Sequence, residues 1–198
     1  MRTIKWDQEN QLVEMIDQRR LPGELVIKQI RTTGELILAI QQMVIRGAPA
    51  LGVAGAFGMA LAAKQFAATK DSEWREKLRQ SASEIISARP TAINLAWGVN
   101  RVMMVSDNSA KDAKTAAAII LKECLSIAEE DVKTNFQLAC NGAELINDGD
   151  VLLHHCNTGA LAGVDWGTAL GAIRYAHESG KKVKVMIDET RPRLQGAR

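Results

Sequence analysis

The chain has 198 residues, of which 46% are hydrophobic and 24% charged, and its formal net charge is +2. This length allows one large domain or two small ones, and the composition is that of an ordinary globular protein. The basic residues are scattered, and the longest apolar stretch, 48–63, is short for a membrane span. We therefore expect neither nucleic acid nor a membrane as a partner.

The first part of the chain has the pattern of a mainly helical domain that begins with a small antiparallel sheet. Strand-like runs at 3–6, 11–17 and 24–30 are separated by turn signals. Thr32 and Glu35 have the spacing of a capping box, which predicts a helix start. Apolar periodicity predicts further helices at 50–67, 72–87 and 94–104, and the polar residues 107–109 indicate a loop.

Residues 111–146 form one long helical pattern, which we interpret as a connector between two domains. After a turn at 147–149, the pattern predicts a buried strand at 150–155, a helix at 165–178 and a second strand at 182–187. A strand, a helix and a strand in this order are the beginning of a parallel α/β domain.

The three cysteines, Cys124, Cys140 and Cys156, form no CxxC pair and no zinc-binding pattern. An odd number of cysteines without a disulfide pattern is typical of a reducing compartment. The N-terminal residues are polar and charged, and they lack the apolar core of a signal peptide. We therefore expect a cytoplasmic protein.

Cys156, in the segment HHCNTGA at 154–160, is the strongest candidate for chemistry. It lies where the first parallel strand should end, and open α/β sheets bind ligands beyond the carboxyl ends of their strands. Loop amides and a helix N-terminus favour anions there, including a reactive thiolate. The spacing fits a small buried cysteine in a tight turn equally well. His154 and His155 alternate across the strand, so one of them should face the core.

Arg46, before Gly47 and Ala48 at a predicted helix start, is a candidate for binding an anion. A guanidinium group there can bind a phosphate, and glycine lets the backbone come close to it. By itself, the pattern fits a helix start with a solvated arginine better.

Two further arginine-bearing segments are weaker candidates. The segment 189–198, which contains Arg191 and Gln195, should lie at the same sheet edge as Cys156, but its composition also fits a polar surface loop. Arg89 is held extended by the following Pro90.

Four segments, in this order, resemble the methylthioribose-1-phosphate isomerases: RGAPALGVAGAFGMALAA at 46–63, RPTAINLAW at 89–97, GDVLLHHCNTGALA at 149–162 and ETRPRLQGAR at 189–198. That family is grouped with ribose-1,5-bisphosphate isomerases and with regulatory subunits of the translation-initiation exchange factor. The resemblance implies an α/β fold in three parts: a helical N-terminal domain with a small antiparallel sheet at 1–110, a connector helix at 111–146, and the first β-α-β unit of an incomplete Rossmann-like domain at 147–198.

The resemblance also implies an activity, namely conversion of 5-methylthioribose 1-phosphate to 5-methylthioribulose 1-phosphate in methionine salvage. No metal or organic cofactor is expected, and the full-length family members usually form homodimers. Cys156 takes the place of the family's catalytic cysteine. The implied substrate-lining residues are Arg46, Gly47, Ala48, Arg89, Arg191 and Gln195.

Two other functions remain open: an isomerase of ribose 1,5-bisphosphate or 5-deoxyribose 1-phosphate, and a non-catalytic regulatory subunit. Cys156 and the 189–198 segment favour catalysis, because the regulatory subunits need no such thiol. The family's catalytic aspartate, in a segment resembling TDNMA, and a nearby Asn-Lys pair have no counterpart here. We therefore expect an inactive N-terminal part, either a fragment or a truncated product.

Overall fold

The computed structural model describes residues 1–68, 71–109, 112–191, 194 and 196. Its N-terminal sheet consists of β1 (Ile4–Asp7), β2 (Leu12–Ile16) and β3 (Ile27–Ile30), which pair antiparallel in that order. Ile4 lies opposite Met15, and Val13 lies opposite Ile30, so these four side chains share one face and enter the core. The predicted antiparallel sheet is thus confirmed, with the first strand shifted by one residue and the second and third strands shorter than expected.

Five helices follow the sheet: α1 (Thr33–Gln41), α2 (Ala48–Phe66), α3 (Asp71–Ser87), α4 (Ile93–Ser109) and the long α5 (Ala113–Glu144). Helix α5 packs against α2 and α4. The capping box at α1 is confirmed, because the Glu35 amide donates to Thr32 Oγ1 at 3.2 Å and the Glu35 carboxylate accepts from the Thr32 amide. Helix α2 lies at the centre, and every residue from 50 to 63 is buried.

The predicted loop at 107–109 was wrong, since α4 continues through Ser109. Val99, Val102 and Ser106 are all fully buried and follow one another at helical spacing. The buried stripe of the helix therefore extends into its polar end, where hydrophobicity alone gives no signal.

Helices α2 and α4 touch through their backbones at glycines. A Cβ atom on Gly98 would lie 2.0 Å from the carbonyl oxygen of Gly52, and one on Gly55 would lie 2.8 Å from the carbonyl oxygen of Leu95. This contact explains why α2 tolerates glycines that lower helix propensity.

The last part contains β4 (Val151–His154), a short 3-10 helix (Ala160–Ala162), α6 (Ala169–Glu178) and β5 (Lys184–Ile187). Strands β4 and β5 are parallel, and α6 connects them, which confirms the predicted β-α-β unit and the α/β fold class. The division into domains at residues 110 and 146 stays a prediction.

Two details of this unit were predicted wrongly. Helix α6 begins at Ala169 rather than at residue 165, because Trp166 and Gly167 have φ angles of 66° and 79° and no helix can run through them. Strand β4 is not buried on both faces, since Val151 and Leu153 are 58% and 73% exposed. Helices α5 and α6 cover only one face of the two-stranded sheet, and Leu152 packs there.

No helix among the described residues combines the length and the apolar character that crossing a membrane requires.

Candidate functional site

Cys156 lies just beyond the carboxyl end of β4, as predicted, and its side chain is exposed. Its φ angle is 75°, in the left-handed region that a residue with a side chain rarely adopts. Such a conformation persists only where the surrounding structure holds it, and it occurs mostly at functional sites. The exposed thiol argues against the alternative of a small buried core cysteine.

Thr158 holds the loop that carries Cys156. Its Oγ1 accepts from the Leu170 amide at 3.0 Å and lies 2.6 Å from His154 Nε2, and its carbonyl oxygen accepts from the Thr168 amide at 2.8 Å. His154 is 5% exposed, which confirms that one of the two histidines faces the core. One threonine thus connects the end of β4, the loop and the first turn of α6.

Replacing Thr158 by valine is expected to lower the free energy of unfolding by about 1–3 kcal/mol, since the Leu170 amide and the His154 imidazole lose their shared partner. Serine at the same position keeps the hydroxyl, so T158S should lose less than about 1 kcal/mol. Urea unfolding of both variants checks this, and equal losses in T158V and T158S would argue against the hydroxyl as the connecting group.

The Arg46–Gly47–Ala48 segment faces Cys156 across a cleft of about 400 Å³. Gly47 has a φ angle of 98°, and a Cβ atom there would lie 2.4 Å from the Cα and carbonyl oxygen of Ala162. The glycine therefore allows the start of α2 to contact the loop after β4. The cleft is lined by Arg46, Gly47, Ala48, Pro49, Asn135, Cys156, Asn157, Ala162, Gly163, Gly167 and Thr168.

A second, smaller cleft of about 270 Å³ lies on the other side of Cys156 and Asn157, which line both clefts. Its walls are mainly apolar and include Leu161, Leu170 and Ile187. Cys156 thus borders two spaces. Arg46 and the starts of α2 and α6 line the larger one, and the smaller one suits an apolar group.

The 160–164 loop forms one wall of the larger cleft and is held from three elements. The Thr3 hydroxyl and amide donate to the carbonyl oxygens of Ala160 and Val164, both at 2.8 Å. Gln18 Nε2 donates to the carbonyl oxygen of Leu161 at 2.8 Å. On the opposite side, the Val164 amide donates to Asp131 Oδ2 of α5 at 2.7 Å. Hydrogen bonds within the protein therefore hold this wall of the cleft on both sides.

Burial raises the pKa of Asp131 above its ordinary value of 3.8, and the hydrogen bonds from Val164 and Asn135 only partly offset this. The carboxyl group of Asp131 therefore binds its proton more tightly in the folded protein than in the unfolded chain. As the pH rises from 3.8 upward, ionisation of this group lowers the free energy of unfolding. Asparagine at position 131 cannot ionise, so D131N lacks this pH-dependent decrease in stability. The free energy of unfolding of D131N relative to the unmodified protein should therefore increase between about pH 3 and pH 7.

Asp7 provides the matched control for D131N, because the Asn10 amide lowers the pKa of Asp7 in the fold. D7N should show the opposite trend, with its relative stability decreasing over the same pH range. Denaturant unfolding at a series of pH values measures both, and parallel curves for the two variants would contradict the assignment.

Two predicted substrate-lining residues, Arg89 and Arg191, are not among the described residues that line the clefts. Arg89 lies in the turn between α3 and α4, where its carbonyl oxygen accepts from the Ala92 amide at 2.9 Å. Arg191 is exposed after β5, and neither arginine is among the described residues that line the two clefts. Gln195 lies outside the described residues. Gly196 does line the smaller cleft, which Cys156 also lines.

Sequence reasoning missed Asn135, which α5 contributes to the larger cleft. His155, whose Nδ1 lies 2.8 Å from Asp188 Oδ2, joins the ends of the two parallel strands at the exposed surface. Within the described ranges, no group of three or more His, Cys, Asp and Glu side chains has an arrangement that suits a metal ion.

The parallel strands β4 and β5, joined by α6, make this part of the chain an α/β protein. Its candidate site lies where β4 ends, with Cys156 opposite the start of α2. Residues 44–198 match the family described as "Initiation factor 2 subunit family", and the chain belongs to that family.

Among curated relatives, "Methylthioribose-1-phosphate isomerase 2" of Pseudothermotoga lettingae is 45% identical over 197 residues, which is 100% of this chain and 56% of the relative. "Putative methylthioribose-1-phosphate isomerase" of Methanosarcina acetivorans is 47% identical over 199 residues and is covered to 57%. The chain thus spans a little over half the length of these relatives.

Solved structures show the same fold. The chain aligns over 100% of its length with 5-methylthioribose 1-phosphate isomerase of Pyrococcus horikoshii OT3, with a TM-score of 0.92 and 37% identity, covering 55% of that chain. A structure described as translation initiation factor eIF-2B, subunit delta, from A. fulgidus has a TM-score of 0.90 and 43% identity, with 57% of its chain covered.

Proposed function

We propose that this protein is an aldose-ketose isomerase that converts 5-methylthioribose 1-phosphate to 5-methylthioribulose 1-phosphate. The observation that carries the proposal is the meeting of Cys156 with Arg46, Gly47 and Ala48 in one cleft. The names of the curated relatives support the same substrate.

The substrate sets a specific chemical task. Its C1 carries both the ring oxygen and the phosphate, so the ring cannot open to a free aldehyde. The reaction must break the bond between C1 and the ring oxygen and move a hydrogen from C2 to C1. The C2 hydroxyl loses its proton to become a ketone, and the ring oxygen gains one, so the protons balance. C1 is reduced and C2 is oxidised within one molecule, so the balance needs no external oxidant or reductant.

The cleft offers a group for each demand of this reaction. Arg46 and the amides at the start of α2 suit the phosphate dianion, because a guanidinium group and a helix N-terminus both favour negative charge. Cys156 lines the same cleft, and its thiol can hold or give a proton while hydrogen moves between C1 and C2. Both proton transfer through an enediol and a hydride shift fit this geometry. The apolar smaller cleft suits the methylthio group at C5.

A regulatory, non-catalytic role is the second candidate, and the likeness to the A. fulgidus structure described as an initiation-factor subunit favours it. The two candidates make different predictions for the complete gene product. An isomerase produces ketose phosphate from 5-methylthioribose 1-phosphate, with slower turnover of ribose 1,5-bisphosphate, whose C5 phosphate fits the apolar cleft poorly. A regulatory subunit turns over neither compound and forms a stable complex with a partner subunit.

Direct detection of the ketose product by NMR, with the complete gene product and each sugar phosphate in turn, tests the proposal. Absence of turnover with either compound would overturn it. Sedimentation of the same sample tests the expected homodimer, and the cytoplasmic location remains an expectation from the sequence.

A further inference from the structure

Asn135 is a polar exception on the buried side of α5. Among the described residues of that helix, it is the one polar side chain on a buried stripe otherwise made of small or apolar residues: Ala113, Ala116, Ile120, Cys124, Ile127, Ala128, Ala139 and Ala143. It is 5% exposed. A buried amide lowers stability unless its hydrogen-bonding groups find partners, so its place on this stripe needs a reason.

The surroundings of Asn135 show where its amide lies. It is one helical turn after Asp131, and a Cβ atom on Gly163 would lie 3.0 Å from Asp131 Oδ2. A Cβ atom on Gly163 would lie 3.2 Å from Asn135 Nδ2, so the amide group borders the 160–164 loop directly. Asn135 also lines the larger cleft together with Arg46 and Cys156.

The hydrogen-bonding capacity that Asn135 has left suits a hydroxyl group. An amide has two N–H donors and one carbonyl acceptor. Even when the neighbouring Asp131 carboxylate takes one donor, the other donor and the acceptor remain. The remaining donor and acceptor match a group that both donates and accepts. A phosphate dianion only accepts, and the Asp131 carboxylate behind the amide repels it. Phosphate therefore belongs on the Arg46 side of the cleft, and a sugar hydroxyl belongs on the α5 side.

The reaction itself selects which hydroxyl this is. The C2 oxygen becomes a ketone and can no longer donate, whereas the C3 hydroxyl keeps its donor and acceptor from substrate to product. We propose that Asn135 recognises the C3 hydroxyl of the sugar phosphate and is a specificity-determining residue of this cleft. The inference rests on the proposed function, because it takes the substrate from there.

The test compares 5-methylthioribose 1-phosphate with its 3-deoxy analogue, using kcat/KM of the complete gene product. The unmodified protein is expected to prefer the parent compound by about 100-fold or more, since removing a recognised hydroxyl leaves buried polar groups unpaired. In N135A this preference should fall below about 10-fold. The matched control is N141A, which changes an exposed asparagine of the same helix and should keep the full preference.

The ratio of kcat/KM for the parent compound to kcat/KM for the 3-deoxy analogue distinguishes a role of Asn135 in recognition from a merely structural role. A merely structural role of Asn135 would lower kcat/KM for both compounds by the same factor and leave their ratio unchanged, and that result would overturn the inference. If N135A does not fold, N135S is tested instead, because serine retains a shorter polar group. The kcat/KM ratio of N135S should lie between that of the unmodified protein and that of an enzyme that does not distinguish the two compounds. An unchanged ratio in N135S would equally overturn it.

The outcomes also separate this inference from the proposed function. Absence of turnover of 5-methylthioribose 1-phosphate by the unmodified protein overturns the function and with it the substrate. Turnover with the same ratio in the unmodified protein and N135A overturns the role of Asn135 alone.

Discussion

Replacing Cys156 by serine is expected to lower turnover of 5-methylthioribose 1-phosphate by at least about 1000-fold, with little change in stability. A hydroxyl has nearly the size of a thiol but gives up its proton far less readily near neutral pH. The side chain is exposed at the end of β4, so the exchange disturbs little packing. The kinetics of the complete gene product, together with its thermal unfolding midpoint, measure both parts of this prediction.

Cys140 provides the matched control for C156S, because it is a second thiol that is at least partly accessible and lies on α5. C140S should keep turnover within about threefold of the unmodified protein, since nothing places Cys140 in the cleft lining described above. If C156S retained a tenth or more of the activity, Cys156 would have no essential part in the chemistry.

Cys156 also allows a test of its backbone conformation. Glycine adopts the left-handed region without the cost that a side chain pays, which is about 1 kcal/mol. C156G should therefore be as stable as the unmodified protein or slightly more stable, while its activity is lost together with that of C156S. A loss of stability in C156G would show that the side chain contributes packing rather than strain.

Replacing Gly98 by alanine is expected to lower the free energy of unfolding by about 3 kcal/mol or more. A Cβ atom there would lie 2.0 Å from the carbonyl oxygen of Gly52, and both atoms belong to rigid helices. Neither can move away alone, so α2 and α4 must separate along their contact. The central helix α2 then loses packing along its whole buried length.

Gly34 is the matched control, since it is also a helical glycine and no described heavy atom outside its own stretch of helix lies within 4 Å of the position of a Cβ. G34A should be neutral or should stabilise the protein by up to about 1 kcal/mol through helix propensity. Denaturant unfolding of both variants provides the comparison. Similar changes in G98A and G34A would contradict the view that close backbone contact determines the residue at position 98.

Local signals predicted most of the fold. The capping box at Thr32 and Glu35 and the strand-helix-strand order near the end of the chain depend on neighbouring residues, so the sequence displays them directly. The end of α4 and the start of α6 depend on tertiary burial of Ser106 and on the positive φ of Trp166, which hydrophobic periodicity does not encode.

The site was predicted in part. Strand order and the family resemblance correctly indicated that Cys156 would stand at a strand end, and the resemblance grouped it with Arg46. Asn135 was missed because none of the four segments that carry the family resemblance contains it. A signal for it exists, since a single asparagine interrupts a stripe of small and apolar residues at helical spacing. The roles of Arg89, Arg191 and Gln195 stay predictions.

The hydrogen bonds between Thr3 and the 160–164 loop have a consequence for the order of folding. Thr3 and Ala160 are 157 residues apart in the chain, yet they hydrogen-bond directly, and Thr3 also accepts from the Ile16 amide within the first sheet. During synthesis, Thr3 emerges well before residues 160–164, so this wall of the cleft forms only in a later, long-range step. The first residues of the chain thus support one wall of the candidate site, and their removal would loosen that wall.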